Sequence, residues 1–388
     1  MFNRRSILQS AAAALAAGTS TEAQAKSHLL PVDVAPRGSV GKLERLPSVD
    51  LESKHDFLTG MMAFINSDVS KAQRERMVVL AKQAGYAENQ DVPLEVAQKL
   101  YDNDPVVGTR TRMWNSSHNH EHYLLDEAFH ANADAYLAEM EAAEKVGPGS
   151  LKLDPALKIP EYTRYEIHQQ PGGYCGNAFA GHIYHYATNQ FYRGANDQDE
   201  RHSGYAAGCP VPAKGEVKRI LDLGCGIGQL ATAMKARFPN AEVHALDVAA
   251  PMLRYAHMRA VDIGSEVHFK QALAEATGYP DGHFDVVISY ILFHEVTAEA
   301  ARKIIAEMGR ITRPGGVFYP MDFNPVTAPS PGRIYSTWLD HRYNTEPWRL
   351  QWTQQVDVAA EMRKAGFNVD DQRAPGQTFG KILAVKTA

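Results

Sequence analysis

The spacing of apolar positions divides the chain into two textures. From about residue 51 to 145 it has a helical period. Phe57, Met61, Phe64 and Ile65 fall at i, i+4, i+7 and i+8, which predicts one apolar helix face. Leu125, Phe129, Ala133, Tyr136 and Met140 repeat the pattern and predict a second helix, stopped by Gly147-Pro148-Gly149. Beyond Lys218, short apolar runs alternate with helical stretches to the end. That alternation predicts an α/β unit with a mainly parallel sheet.

Between these textures, residues 160–208 are rich in Tyr, His and Gly. Residues 26–50 carry Pro31, Pro36, Gly38, Gly41 and Pro47 with little periodicity, and read as a linker or arm. The organisation expected is therefore 1–25 as a leader, 26–50 as linker or arm, 51–208 as a helical and Tyr/His-rich cap region, and 209–388 as the α/β core. No internal repeat is visible.

Composition narrows the function classes. The chain has 388 residues, enough for about two domains at roughly 150 residues each. Hydrophobic residues make up 44% and charged residues 22%, as in an ordinary globular protein. The formal net charge of −5 leaves no electrostatic footprint for nucleic acid. The three cysteines, Cys175, Cys209 and Cys225, cannot build a disulfide scaffold or a four-cysteine zinc site. In an oxidising compartment Cys175 and Cys209 are the candidates to pair.

The first residues carry paired arginines (Arg4, Arg5), an alanine-dominated run from Ser10 to Gly18, and Ala23-Gln24-Ala25. This resembles a twin-arginine export signal. It predicts a periplasmic or exported protein, cytoplasmic if the signal is unused. The run is too short and too weakly apolar for an integral membrane span.

The chemistry-bearing segment is Arg219–Leu230. An apolar run, Ile220-Leu221-Asp222-Leu223, enters a turn with Gly224, Gly226 and Gly228, and a helix follows. Glycines here admit positive φ and close approach of a ligand to the backbone. The helix N-terminus offers free N–H groups. The pattern is G-x-G-x-G rather than G-x-G-x-x-G. Gln229 stands where a dinucleotide-binding turn has its third small residue, which disfavours a nicotinamide-dependent oxidoreductase. A second apolar run, Glu242–Leu246, ends in Asp247, near the spacing at which an acid reaches ribose hydroxyls.

Together these residues resemble the first two motifs of the class I S-adenosylmethionine-dependent methyltransferases. The likeness runs through at least 218–323, and the small-molecule, quinone C-methyltransferase type is the nearest in character. Phe284–Ser289, Gly315-Gly316 and the closing pair Gly366-Phe367 with Lys381–Val385 also match that family. The resemblance implies a Rossmann-like sheet of seven strands, a helical N-terminal cap, and S-adenosyl-L-methionine as cofactor. It implies that Gly224, Cys225, Gly226 and Gly228 cradle the donor's amino acid part, with Asp222 holding the ammonium through the turn. Asp247, with Val248, would bind the ribose, and Met252 would cover the adenine. The family's usual acid is replaced by Leu273 here, so the Ala274 backbone or Glu275 would serve, with Ser289 nearby on its strand.

For the chemistry, His294 is the expected catalytic group, because it lies just beyond the carboxyl end of a central strand. Glu295 beside it reads as a first-turn helix acid. Tyr174, His182, Tyr184, His185 and Tyr192 are the candidates to line an acceptor pocket. His118-Asn119-His120-Glu121-His122 reads as an exposed polar helix start rather than a metal site, so no metal is expected. The expected function is methyl transfer to a small-molecule acceptor. Its acceptor atom and the oligomeric state are not legible. The rival is an exported nucleotide-binding protein that keeps this fold without transfer, a reading the export signal encourages because the donor is made in the cytosol.

Overall fold

The computed structural model describes residues 43–324, 328–343, 346–377 and 379–387. The leader expected at 1–25, and most of the arm expected at 26–50, lie outside the described residues.

The sheet follows from alternating apolar side chains on short strands. In chain order these are β1 (Ser150–Lys152), β2 (Arg219–Leu223), β3 (Glu242–Asp247), β4 (His268–Gln271), β5 (Phe284–Tyr290), β6 (Thr312–Phe323), β7 (Phe367–Asp371) and β8 (Phe379–Lys386). They form one eight-stranded sheet in the order β1-β4-β3-β2-β5-β6-β8-β7. β8 runs antiparallel to both β6 and β7, and the other pairings are parallel. The count exceeds the expected seven by β1. This short edge strand pairs with β4 through Ser150, Leu151 and Lys152, and three residues are too few for a periodic signal.

Both faces of the sheet are covered. Ile220, Val243, Ala245, Val286 and Ile288 point to one side, under α8 (Gln229–Arg237) and α9 (Ala250–Asp262). Leu221, Leu223, Leu246, Val287 and Phe318 point to the other, under α10 (Ala298–Ile311) and α13 (Val358–Lys364). Helix α10 shows why it packs there: Ala301, Ile304, Ile305, Met308 and Ile311 form a single apolar stripe, and Thr297 caps its first turn by accepting from the Ala300 N–H.

The N-terminal half supplies α1 (Val49–Phe64), a π-turn (Ile65–Val69), α2 (Ser70–Gln83), α3 (Leu94–Tyr101), α4 (Pro105–His130), α5 (Ala133–Ala143), α6 (Ala180–Phe191) and α7 (Glu200–Gly208). Phe129, Tyr136, Met140, Phe179 and Ile183 pack against Met252, Tyr255 and Met258 of α9, seating the cap on the sheet's helical layer. Between β6 and β7, α11 (Arg333–Arg342) and α12 (Arg349–Gln355) are inserted. Tyr335 of α11 returns to Tyr101 of α3, with ring centroids 5.2 Å apart. No described helix is long and apolar enough to cross a membrane.

Two helical expectations are corrected. The face of α1 predicted from Phe57 and Phe64 is exposed (65% and 48%), while Leu51, His55, Leu58, Met62 and Ile65 are buried. A polar pair redirects the face. His55 Nδ1 meets Glu121 of α4, both fully buried, and Gln190 of α6 reaches the second Glu121 oxygen at 3.5 Å. The single helix predicted over Leu125–Met140 is two. Asn132, at φ −125° and ψ 33°, breaks it, so that Tyr136 turns onto Phe129 and Phe179.

The Glu121 pair therefore ties α1, α4 and α6 together. Glu121→Ala strands His55 and should lower the unfolding free energy by about 3–5 kcal/mol. Urea titration measures this, and a loss under about 1 kcal/mol would contradict the reading.

Candidate active site

The strand order reverses at β2, which has β3 on one side and β5 on the other. Connections leave the two neighbours in opposite directions, so a crevice opens at the carboxyl ends of these strands. The glycine turn lies in it. Gly224, Gly226 and Gly228 all have positive φ (65°, 52° and 74°). The N–H groups of Gly224 and Cys225 both donate to the Leu246 carbonyl, at 2.8 and 3.0 Å, fastening the turn to β3. Gly228 precedes α8 with no side chain capping that helix.

Asp247, at the end of β3, is locked beside the turn. One carboxylate oxygen accepts from Gly226 N–H and the other from Ala249 N–H, each at 2.9 Å. Burial pushes its carboxyl up to about 6, against the pull of those two N–H groups and with Glu295 adding to the rise. Asp222 lies deeper, below the turn. Both its oxygens are buried without a formed hydrogen bond, and burial drives its carboxyl up to about 8, with the Ala231 N–H acting against that.

Around this turn is a cavity of about 100 Å³. Gly224, Gly226, Asp247, Val248, Met252, Ala274 and Glu275 line it, as does Leu273. The cap closes it with Tyr162, Tyr174, Cys175 and Tyr184. Of these, Tyr162 and Cys175 went unrecognised in the sequence. Tyr162 donates its hydroxyl to Glu275 at 2.6 Å.

Four expected donor contacts do not reach the cavity wall. Asp222 and Ser289 are buried beneath it, on strands. Cys225 turns its thiol into the apolar core. Gly228 faces Phe269, and a Cβ there would stand 2.8 Å from the ring. Cys175 and Cys209 are free thiols, one lining the cavity and the other packed in the core beneath α7, so they do not pair.

The residues present suit a cationic nucleoside donor. Gly226 leaves open space where a Cβ would meet only the tip of Met252 at 3.7 Å, Asp247 offers a fixed carboxylate, and Asp222 is an uncompensated acid under the turn.

A second cavity of about 350 Å³ adjoins the first and shares Tyr174, Tyr184, Ile291 and Glu295 with it. Trp114, Phe191, Tyr192 and Phe323 give it aromatic walls, and His294 lies on its polar side. His294 belongs to a tight turn, Phe293–Glu295, directly after β5. Asp322 at the end of β6 holds that turn twice, accepting from the Phe293 N–H at 2.6 Å and from His294 Nδ1 at 2.7 Å. Nε2 is left facing Glu346 at 3.5 Å and Glu295 at 3.8 Å. Burial opposes the charge on His294, yet Asp322, Glu346 and Glu295 carry its imidazole up to about 9. Glu346 is likewise held below its ordinary range, despite burial, by His294, His168 and Arg349.

Several expected contacts move. Helix α6 turns Tyr184, Thr188 and Phe191 to the cavity. His182 and His185, on its opposite face, pack against Phe129 and Tyr255, and His185 Nδ1 lies 2.8 Å from the Tyr255 hydroxyl. They are therefore cap residues outside these two cavities; His182 lines a separate small cleft of about 50 Å³ between the cap and α9. Tyr174 and Tyr192 do line the larger cavity. Glu295 is an acid of the single 3₁₀ turn Phe293–Glu295 rather than of α10, which begins three residues later, and it faces both cavities. His118 and His122 are not at an exposed helix start. They sit buried within the 26-residue α4 and line the larger cavity, while His120 is exposed. Burial lowers His118 well below the usual histidine range and His122 to about 4, so both are neutral.

Asp322, Glu346 and His168 were missed from the sequence. The position of Asp322 at the end of a central strand was a usable signal, since the same reasoning finds His294. Glu346 and His168 sit in connections with no periodic mark.

Comparison with known proteins gives the following. Residues 220–316 match the family described as "Methyltransferase domain". The chain is 40% identical over 122 residues to a demethylmenaquinone methyltransferase of Thermus thermophilus, covering 31% of this chain and 54% of that protein. It is 32% identical over 169 residues to a ubiquinone/menaquinone biosynthesis C-methyltransferase of Pseudomonas fluorescens, covering 39% and 65%. It is 30% identical over 156 residues to a malonyl-[acyl-carrier protein] O-methyltransferase of Halorhodospira halophila, covering 40% and 50%. The chain thus spans half to just under two thirds of the length of these relatives.

The turn geometry yields a direct test. Gly228→Ala puts a side chain at φ 74° and drives it into Phe269. It should cost about 1–3 kcal/mol, read as a lower thermal midpoint. An unchanged midpoint would show that the turn tolerates another conformation.

Proposed function

We propose that this chain, whose residues 220–316 are a methyltransferase domain of the class I S-adenosylmethionine-dependent kind, moves a methyl group to a small ring-bearing acceptor held in the larger cavity. The observation that carries this reading is the shared wall: Tyr174, Tyr184, Ile291 and Glu295 belong to both cavities, so donor and acceptor would meet across them. The relatives named for quinone biosynthesis support a ring acceptor, and the aromatic walls suit one.

When bound, the donor supplies a methyl group on a sulfonium, a good leaving group taken by direct displacement. The chain's task is alignment and exclusion of water. Gly224 and Gly226 let the amino acid part lie on the backbone, and Asp222 attracts its ammonium through the turn. Asp247 accepts the ribose hydroxyls, and Val248 stands beside it. Met252 and Leu273 flank the adenine, with Ala274 and Glu275 at its edge. Tyr174 and Tyr184 separate the reacting centre from solvent. His294, oriented by Asp322, presents Nε2 to an oxygen of the acceptor. We further propose that residues 1–25 direct export, to be read from the N-terminal sequence of protein recovered from each cell fraction. A chain that stays in the cytosol with its first residues intact would refute this.

Three outcomes are expected. Asp247→Ala removes charge-assisted hydrogen bonds and should weaken donor binding by roughly 10- to 100-fold; unchanged affinity by calorimetry would remove Asp247 from the site. Asp247 must be ionised to accept two hydroxyls, and its carboxyl sits at about 6. Donor affinity should therefore fall as pH drops below that value, towards about tenfold per unit, and above it should rise further towards pH 8 as Asp222, at about 8, ionises beneath the turn. A flat profile between pH 5 and 7 would contradict this. His294→Ala should lower turnover by about 10²- to 10⁴-fold while donor affinity stays within about twofold. Turnover is followed as S-adenosylhomocysteine released with a panel of phenols and quinols. Full activity in the variant would make His294 structural, and no turnover by the wild-type chain with any acceptor would favour a donor-binding protein without transfer.

A further inference from the structure

We infer that His294, His168 and Glu346 form a site for one divalent transition-metal ion on the polar wall of the larger cavity. One ligand atom from each lies within 4.8 Å of the others. His294 Nε2 is 3.5 Å from one Glu346 oxygen, and His168 Nδ1 is 4.0 Å from the other. Two ligands bound at about 2.1 Å, at near-octahedral or tetrahedral angles, stand roughly 3.0–3.4 Å apart. Side-chain adjustments of about an ångström therefore close the site.

The unsatisfied groups point the same way. His294 is 1% exposed and Glu346 is 8% exposed. His294 Nε2 and a Glu346 oxygen are both buried with no hydrogen bond, and they face each other. A buried ligand atom without a partner is costly unless something binds it.

The outer contacts complete the pattern. Metal-binding histidines commonly donate their remote N–H to a carboxylate, which fixes the tautomer. Both histidines here have that carboxylate. Asp322 lies 2.7 Å from His294 Nδ1, leaving Nε2 as the ligand atom. Glu295 lies 3.1 Å from His168 Nε2, leaving Nδ1 as the ligand atom. His168 is further fixed through its carbonyl, which accepts from His118 Nε2 at 2.6 Å.

Two imidazoles and one carboxylate suit zinc or iron(II) better than magnesium or calcium. Three carboxylates (Glu346, Asp322 and Glu295) surround the position. Arg349, 3.7 Å from Glu346, offsets part of their charge. Three protein ligands leave a position open to the cavity. On the proposed-function reading, an acceptor hydroxyl would fill it, and His294 Nε2 would then act on that oxygen through the ion rather than by direct contact. The ion would make that hydroxyl more acidic, its proton leaving to water, before its methylation or that of a ring carbon conjugated to it.

The test uses the full chain, stripped with a chelator and titrated with Zn²⁺ by calorimetry. One Zn²⁺ per chain at micromolar affinity or tighter is expected. His168→Ala and Glu346→Gln should each weaken it at least tenfold, while the affinity for S-adenosylmethionine stays within about twofold. Pulsed electron paramagnetic resonance of the Cu²⁺-loaded wild-type chain should show two coupled imidazole nitrogens, a result that does not depend on the variants folding. No Zn²⁺ binding by a chain that binds donor would overturn the site. So would equal binding in both variants, or fewer than two imidazoles around Cu²⁺. Zinc binding by a chain that binds no donor would leave the metal site standing and fail the methyl-transfer reading alone.

Discussion

The crevice exists because β2 is flanked by β3 and β5, and the chain leaves those neighbours in opposite directions. The floor of the site hangs on the carboxyl ends of these strands and of their neighbour β4. The glycine turn follows β2, Asp247 ends β3, Leu273–Glu275 follow β4, and His294 follows β5. One short bond, from Gly226 N–H to the Asp247 carboxylate, closes the floor between the first two strands. With the Gly224 and Cys225 bonds to the Leu246 carbonyl, it holds the turn and the acid on one surface.

The cap finishes what the sheet begins. Met252 and Tyr255 of α9 are buried under Phe179 and Ile183, so the layer that covers the sheet also anchors the helices above it. That anchoring holds Tyr174 and Tyr184 over both cavities. The insertion between β6 and β7 closes the far side, bringing Glu346 and Arg349 to the larger cavity while Tyr335 grips α3. Acids gather around the two cavities: Asp222 and Glu346 are buried, and Asp247, Glu295 and Asp340 are partly buried. Burial raises Asp340 to about 6, with Glu346 adding to the rise and Arg349 working against it. Burial disfavours the charged form of Asp222 and Asp247, and a bound cation restores it, so these acids couple their ionisation to a sulfonium donor with its ammonium.

What was legible in the sequence followed from local rules. The glycine turn, the acid ending β3 and the alternating strands are each set by neighbours within a few residues. Seven of the strands could be counted this way, while β1 has only three residues and no pattern of its own. The face of α1 was misread because its burial is decided by a partner on α4, His55 with Glu121, 66 positions away. Tyr184 lies on the cavity wall and His185 does not, because both are amphipathic and only the packing of α9 chooses between them. Glu346 and His168 meet His294 through loops that carry no period, and no local rule reaches them.

The most direct measurement is calorimetric titration of the chain with S-adenosylmethionine and, separately, S-adenosylhomocysteine. Both should bind at one per chain with dissociation constants of about micromolar order, since Gly226, Asp247 and Met252 address parts common to the two. A folded chain that takes up neither would contradict the assignment of the crevice as a donor site, and with it the role given to the adjoining cavity.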